Sequence, residues 1–415
     1  MKEEIINNLD NPKQLEKLYR DDMRSFKQAF DSIYHDFKDT QIVQIWNERL
    51  NFESEEEISW GNKYELLFII VASFLAGLLA KIPEFTPIEA VFFYSRNTAF
   101  IVFPLLVAYF AWRQKNSGRS IVITSAVLLL SCVYINALPD NSKSDTLIIA
   151  RIHLPLFLWT VLGFTFVGNK WRDYCRRLDF LKANGDCIVI TTIILIAGIV
   201  LTFISLGLFR VIGLGIEEFY LRYVVAWGIA ASPIVGTYLV LTNPQLVNKV
   251  SPVIAKVFTP LVLVTLIVYL LAVIGTGKDP YHDRDFLLVF NILLVAVMAI
   301  ILFSVVATSK KAVSTVGLFL LLSLAIVTVL VNGTALLAIL YRISEWGFSP
   351  NRLAVLGSNI LIMTHLLVLT YGLFWTIRNR SQIKFVEKSI AHFLPIYGLW
   401  TVFVTFIFPF LFNFR

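Results

Sequence analysis

Charged residues are scarce in this 415-residue chain: they make up 16% of it, while hydrophobic residues make up 57%. An ordinary soluble domain has about 25% charged and about 45–50% apolar residues. A soluble globule of this length has too little interior to bury so much apolar surface. The composition therefore excludes an ordinary soluble protein and predicts one that exposes apolar side chains to lipid.

The motifs of soluble enzymes are missing as well, among them Gly-x-x-x-x-Gly-Lys, His-Glu-x-x-His and Gly-x-Ser-x-Gly. The three cysteines, Cys132, Cys175 and Cys187, have neither metal-ligand nor redox spacing, and the five histidines include no pair at metal-ligand spacing. We therefore predict no catalytic residue, no metal site and no cofactor. The net charge of +7 comes with basic residues at the ends of apolar segments, so we predict no nucleic-acid partner either.

What the chain has instead is near-continuous apolar blocks from Tyr64 onward. Their length, about 18 to 25 residues, is what a helix needs to cross a hydrocarbon layer of roughly 30 Å, and only helices satisfy their own backbone there. We predict an all-α, polytopic transmembrane helical bundle over residues 63–415, with about eleven spans. They are placed at 64–82, 97–112, 120–138, 146–168, 187–209, 221–242, 254–275, 286–308, 313–341, 354–377 and 390–413.

The lysines and arginines of the connecting loops predict the orientation, because cytoplasmic loops carry the excess of positive charge. The connections on one side hold sixteen basic residues and those on the other side hold ten. The richer side includes the connections after the second and fourth spans. We therefore predict that the amino terminus lies inside and the carboxyl terminus outside.

Residues 1–62 differ from the rest and predict a cytoplasmic amphipathic helical segment. Asn11-Pro12 is typical of a helix start, and apolar residues then recur every three or four positions, which predicts one helix of about 27 residues. Asp39-Thr40 predicts the cap of a second, short helix. Nine basic and fourteen acidic residues precede Glu65, so the segment is no polybasic lipid binder. We expect residues 12–50 to associate with the cytoplasmic loops, with a second copy or with a cytoplasmic protein partner.

Two stretches carry a resemblance to a known family. The first runs from Asn11-Pro12-Lys13-Gln14-Leu15-Glu16-Lys17-Leu18-Tyr19-Arg20 to Trp46-Asn47-Glu48-Arg49-Leu50, and the second is Tyr341-Arg342-Ile343-Ser344-Glu345-Trp346-Gly347-Phe348-Ser349-Pro350-Asn351-Arg352. They resemble a group of bacterial polytopic inner-membrane proteins classified as a domain of unknown function. Trp346 and Phe348 stand where tyrosine and leucine are more usual there. The resemblance implies a multi-pass protein of the bacterial inner (plasma) membrane and implies no chemistry.

Polar residues inside the predicted spans are the first candidates for a site, because an ionisable group there costs at least about 2.5–3.5 kcal/mol unless it faces a partner or water. Arg151 and His153 lie near the outer end of the fourth span, where Arg151 either snorkels to the headgroups or lines a cavity with His153. His365 in the tenth span predicts an interhelical hydrogen bond rather than a proton carrier. The ninth span is too long for a straight crossing, and its Asn332-Gly333-Thr334 predicts a kink or discontinuity at Gly333.

The outer loops hold the densest polar groups, each with a carboxylate upstream of an arginine. These groups are Glu89 with Arg96, Glu217 and Glu218 with Arg222, the loop of Tyr281, His282, Asp283, Arg284 and Asp285, and Arg342, Glu345 and Arg352. One interpretation is that interfacial ion pairs fix the helix ends. The other is a shared outward-facing ligand site, since several arginines on one face grip a carboxylate or phosphate well.

Three functions follow from these patterns. The first is a transporter-like or small-solute-sensing protein with an outward-facing polar site for a polar or anionic small molecule. The second is a membrane enzyme acting on lipid-linked or envelope substrates, with His282, Asp283 and Asp285 as acid-base groups. The third is a non-catalytic scaffold or signalling subunit whose amino-terminal helices dock a partner.

Overall fold

The structure, a computed structural model, describes residues 2–38, 40–51, 61–141, 143–211, 215–244, 259–264, 266–268, 271, 284–308, 315–379 and 383–414. Helices hold nearly all of these residues, and no β-strand occurs among them. The prediction of an all-α protein is therefore confirmed for the described part of the chain. Contacts divide the chain into two compact units, Met1–Ile58 and Ser59–Arg415.

Within its described residues, the first unit contains four helices: α1 (Lys2–Ile6), α2 (Pro12–Asp21), α3 (Met23–Phe37) and α4 (Gln41–Asn51). The cap predicted before Pro12 is confirmed, because the Asn11 side chain accepts a hydrogen bond from the Gln14 backbone N–H at 3.2 Å. The single helix of about 27 residues is wrong. The chain turns out of the helix at Asp22, whose φ of −150° and ψ of 89° are not helical.

The apolar stripe of this unit is buried by the unit's own helices. The turn at Asp22 lets α2, α3 and α4 pack on one another, and the ring of Phe26 lies 5.7 Å from that of Tyr19 and 5.0 Å from that of Trp46. Seven side chains form the fully enclosed core: Ile5, Leu15, Phe26, Phe30, Ile33, Val43 and Trp46. Any partner of residues 12–50 would therefore meet a surface other than this stripe.

The second unit contains twelve helices within the described residues. In chain order they are α5 (Lys63–Ala80), α6 (Ile82–Phe85), α7 (Ala90–Arg113), α8 (Gly118–Ala137), α9 (Asp145–Val167), α10 (Tyr174–Val211), α11 (Glu217–Thr242), α12 (Thr259–Val268), α13 (Arg284–Thr308), α14 (Thr315–Trp346), α15 (Pro350–Arg378) and α16 (Ile383–Leu411). Nine of these twelve, all except α6, α12 and α13, are long and apolar enough to cross a membrane. This part of the chain has the make-up of a multi-pass membrane protein.

These nine helices overlap the first six and the last three predicted spans, although α10 begins at Tyr174, well before the predicted span 187–209. The seventh and eighth predicted spans, 254–275 and 286–308, fall on α12 and α13. In these two helices the described apolar stretches are Thr259–Val268 and Asn291–Val306. The described residues thus hold nine helices that are long and apolar enough to cross a membrane, while the total of eleven spans and the orientation of the termini stay predictions.

The break predicted at Gly333 is wrong, because α14 is one continuous helix of 32 residues from Thr315 to Trp346. In lipid a broken turn would leave backbone N–H and C=O groups without water to satisfy them. The polar side chain beside the glycine is satisfied differently: Asn332 points at α15 and donates a hydrogen bond to the backbone carbonyl of Asn359 at 3.1 Å.

Three apolar clusters hold the described part of the second unit together. One is built from α5, α7, α8, α9 and α11 with Phe180 of α10, the second from α10 and α12 to α16, and the third, a small one, from α9, α15 and α16. In the second core the His365 Nδ1 lies 3.0 Å from the Tyr397 hydroxyl on α16, which confirms the predicted interhelical hydrogen bond. Other apolar side chains face outward, for example Leu129 at 66% and Phe203 at 73% exposed. Such surfaces are suited to contact with lipid tails.

Candidate functional site

Arg96 of α7 is buried, and most of its donors are used to close the end of α8. A helix end leaves its last carbonyls without partners, and Arg96 fills this role from a neighbouring helix. Its Nη1 donates to the carbonyls of Ile135 and Leu138 at 2.7 and 2.8 Å, and its Nη2 donates to that of Pro139 at 3.0 Å. The guanidinium also lies 4.2 Å from the centre of the Phe92 ring. Arg96 therefore fixes the loop that follows α8.

That loop presents Asp140 to two arginines at once. Its Oδ1 lies 3.3 Å from Nη2 of Arg96 and 3.7 Å from Nη2 of Arg151 on α9. The Asp140 side chain is 66% exposed, whereas that of Arg151 is only 14% exposed. Two positive charges thus meet a single negative one, and the cluster keeps one positive charge in excess.

Arg151 also has hydrogen-bonding capacity left over. Its Nε and Nη2 are buried and have no hydrogen-bond partner, because 3.7 Å to Asp140 is too long for a hydrogen bond. A buried donor without an acceptor costs about 1–3 kcal/mol, and more when it is charged. The site is therefore chemically suited to a group that brings one negative charge and two acceptor oxygens to the fork of Arg151.

His153 does not join Arg151 in this cluster. Its Nδ1 lies 2.9 Å from the carbonyl oxygen of Ile149, one turn earlier on α9, which is a hydrogen bond within the helix. The structure pairs Arg151 with Arg96 and Asp140, and a cavity shared by Arg151 and His153 stays a prediction.

Arg222 belongs to a different group, on α11. A π-helical turn, Tyr220–Val225, carries it, and its Nε lies 3.0 Å from Oε2 of Glu84 and its Nη1 3.9 Å from Oε1 of Glu218. The buried Lys81 reaches Oε1 of Glu84 at 2.6 Å. The hydrogen bonds from Lys81 and Arg222 lower the pKa of Glu84 against the opposing effect of burial. This group is an ion-paired tie between α6 and α11.

Arg342 and Arg352 gather around a single ring at the turn between α14 and α15. Their guanidinium carbons lie 5.3 and 5.7 Å from the centre of the Trp346 ring. Arg352 Nη1 also donates to the carbonyls of Trp346 and Gly347 at 2.8 and 2.7 Å. Glu345 is exposed. The second stretch that carries the family resemblance is, in this structure, a closed helix-to-helix turn.

The remaining predicted site residues lie outside what the structure describes. Tyr281, His282 and Asp283 are not among the described residues, and only the helical backbone is described for Arg284 and Asp285. The predictions for this loop therefore stay predictions. Among the described residues the arginines form three separate groups, around Asp140, Glu84 and Trp346.

At the other ends of α5, α7 and α11, a second polar group ties these helices together. Glu65 accepts hydrogen bonds from the Tyr109 hydroxyl at 2.5 Å and from Nη1 of Arg113. Arg113 also donates through Nη2 to the carbonyl of Leu241 at 3.2 Å. These hydrogen bonds therefore hold the ends of α5, α7 and α11 together.

A cavity of about 310 Å³ lies between α5, α7 and α8. Its walls are almost entirely apolar, and they include Leu79, Ile82, Phe92, Phe93 and Phe100. Asn97 and Asn136 contribute its polar atoms, and their amides satisfy each other through two hydrogen bonds of 2.9 and 2.8 Å. Phe92 belongs to both the cavity and the charged cluster, because its ring lines the cavity and also packs against the guanidinium of Arg96.

Sequence reasoning missed the role of Asp140 and gave Arg96 the wrong partner. Glu89, its predicted partner, is exposed. The sequence contains one signal for the true pairing. Asp140 lies in the connection between the third and fourth predicted spans, on the same predicted side of the membrane as Arg96 and the end of the fourth span that holds Arg151. Within the described residues there is no group of three or more His, Cys, Asp or Glu side chains that would hold a metal ion.

Comparison with known proteins adds no relative to this picture. The chain matches no family model, no curated protein and no solved structure.

Proposed function

We propose that the chain is an eleven-span protein of the bacterial inner membrane that binds a small anion at an outward-facing site and transports or senses it. The amino terminus lies inside, in agreement with the distribution of lysine and arginine between the loops. With that orientation, the loop of Asp140 and the outer ends of α7 and α9 share the outer side. The inner membrane follows from the family resemblance of the two stretches named above.

The observation that carries this proposal is the excess positive charge at Asp140. Arg151 keeps two buried nitrogens without acceptors, and polar groups inside a membrane protein usually mark a ligand path. The exposure of Asp140 gives the cluster a route to water. The tie of Glu65, Tyr109 and Arg113 at the opposite ends of α5, α7 and α11 supports a site that opens to the outside only.

The scaffold hypothesis has less support than anion binding, because the apolar stripe that would dock a partner is already covered by α2, α3 and α4. The enzyme hypothesis depends on His282, Asp283 and Asp285, whose side chains the structure does not describe. Anion binding at Arg151 depends neither on a docking surface of the first unit nor on the side chains of His282, Asp283 and Asp285.

Binding and flux measurements test the proposal. The full chain would be purified and reconstituted into liposomes, and a panel of inorganic phosphate, sulfate, and mono- and dicarboxylates offered from either side. We expect at least one anion to bind, and Arg151→Gln to weaken that binding at least tenfold. Arg151 is preferred to Arg96 as the target because Arg96 caps α8.

The matched control is Arg210→Gln, which removes the same charge from an exposed position at the end of α10. It should leave the affinity within a factor of two. If no anion of the panel binds, or if both variants weaken binding equally, the proposal is wrong.

A further inference from the structure

The apolar cavity and the charged cluster meet at one residue. The Phe92 ring lines the cavity on α7 and stacks against the guanidinium of Arg96, 4.2 Å away. Arg96 and Arg151 in turn contact the same oxygen of Asp140. The structure therefore places a positively charged cluster beside an apolar cavity, an arrangement suited to a molecule with an anionic end and an apolar end.

The depth of the cavity also matches one kind of occupant. It extends along α7 from Phe92 to Ile101, nine residues or roughly 14 Å at 1.5 Å per residue. That is about half of a hydrocarbon layer of roughly 30 Å, which is the depth of one leaflet. A volume of about 310 Å³ lies at the small end of the range for ligand sites, roughly 300–1,000 Å³.

The lining decides between a soluble ligand and a lipid chain. A soluble polar solute would need hydrogen-bonding groups in the cavity, but the amides of Asn97 and Asn136 already satisfy each other. The remaining walls are aliphatic and aromatic side chains and the thiol of Cys132.

We infer that the anion bound at Arg151 is the phosphate of an anionic phospholipid, and that one of its acyl chains lies in the cavity lined by Phe92, Phe93 and Phe100. The inference rests on the proposed function, since it uses the same arginine. It names the ligand as a lipid of the outer leaflet and makes the cavity part of the site. The guanidinium of Arg151 donates to the phosphate oxygens, and Asp140 orients both arginines.

Native mass spectrometry of the full chain in detergent tests this. The probes are phosphatidylglycerol, phosphatidylcholine with the same acyl chains, and the chainless ligands glycerol phosphate and inorganic phosphate. We expect phosphatidylglycerol to be retained, phosphatidylcholine to bind at least tenfold more weakly, and neither chainless ligand to displace the lipid at equal concentration.

Variants separate the two halves of the site. Arg151→Gln should reduce phosphatidylglycerol binding at least tenfold, and Cys132→Phe, which fills the cavity from α8, should do the same. Val133→Phe is the control, because Val133 is the next residue on α8 and is 59% exposed. Should Cys132→Phe fail to fold, as judged by its size-exclusion profile, Ile88→Trp blocks the cavity at another point of its lining.

Each outcome has a distinct meaning. If inorganic phosphate binds as tightly as the lipid and both cavity variants are without effect, the lipid inference is overturned and the anion site stands. If Cys132→Phe weakens lipid binding but Arg151→Gln does not, the headgroup assignment fails. If Arg151→Gln changes the binding of no ligand, the proposed function fails together with the inference.

Discussion

Asn332 on α14 donates a hydrogen bond from its side-chain amide to the backbone carbonyl of Asn359 on α15, at 3.1 Å. Both residues are buried, at 0% and 1% exposed; the Nδ2 of Asn359 and the Oδ1 of Asn332 have no hydrogen-bond partner. The two asparagines look alike in the sequence. Only one of them contributes an interhelical hydrogen bond through its side chain.

Asn332→Ala should therefore destabilise the membrane unit, and Asn359→Ala should not. An interhelical hydrogen bond in a membrane contributes about 0.6 kcal/mol on average and up to about 2 kcal/mol. Asn359→Ala keeps the accepting carbonyl and removes an unsatisfied buried group, which is neutral or stabilising. Unfolding in mixed detergent micelles measures both free energies. Equal losses in the two variants would contradict the assignment of the bond.

Gly347→Ala should destabilise the turn between α14 and α15 by about 1 kcal/mol. Gly347 has a φ of +72°, which L-residues rarely adopt, and an added Cβ would meet nothing within 4 Å. Any loss would therefore come from the backbone alone. The control is Gly228→Ala in α11, which is equally open but lies within a helix and has no positive φ. It should be neutral or stabilising by less than about 1 kcal/mol, and a loss there equal to that at Gly347 would refute the argument.

The stability of the membrane unit should fall when the pH drops below 4.5 because of Glu84. Its pKa is lowered from an ordinary 4.5 by hydrogen bonds from Lys81 and Arg222. A carboxylate with a lowered pKa in the folded state stabilises above its unfolded pKa, and that contribution disappears as the pH falls through the folded value. Unfolding curves for the parent chain and Glu84→Gln should differ at pH 7 and converge in acid. A constant difference at every pH would show that the pair has no such role.

Phe26→Ala should unfold the first unit without affecting the second. Phe26 is fully buried between Tyr19, Phe30 and Trp46, and a large-to-small change at such a site costs about 3–5 kcal/mol. Hydrogen exchange in the full chain should then lose protection over residues 1–58 only. Ile45→Ala, at a position 54% exposed, should change little. Loss of protection throughout the chain would mean that the two units do not unfold separately.

The helices and most of their limits follow from the sequence, because the length of an apolar block is a local property that the membrane thickness fixes. The partners of the arginines do not follow from it. Arg96 was assigned to Glu89 at seven residues' distance, whereas it pairs with Asp140, 44 residues away. Such a choice depends on which helix ends meet in three dimensions, and no pattern within one segment contains that information.

The two wrong helix predictions have opposite causes. Asn332-Gly333-Thr334 is a breaking signal in water, but a membrane penalises an open turn so strongly that the helix continues through it. The apolar stripe from Leu15 to Phe37 keeps its helical spacing across the turn at Asp22, so the pattern indicates one helix where the structure has two. There a bent arrangement buries the stripe within the unit, and a straight helix would not.

An unbroken α14 also has a mechanical consequence. Its 32 residues make a rod of about 48 Å at 1.5 Å per residue, well beyond the roughly 30 Å of the hydrocarbon layer. With no break along its length, α14 joins the turn at Trp346, where two arginines pack on the ring, to Thr315 through one continuous ladder of helical hydrogen bonds. A displacement of the turn at Trp346 is therefore expected to reach Thr315 at the opposite end of the helix.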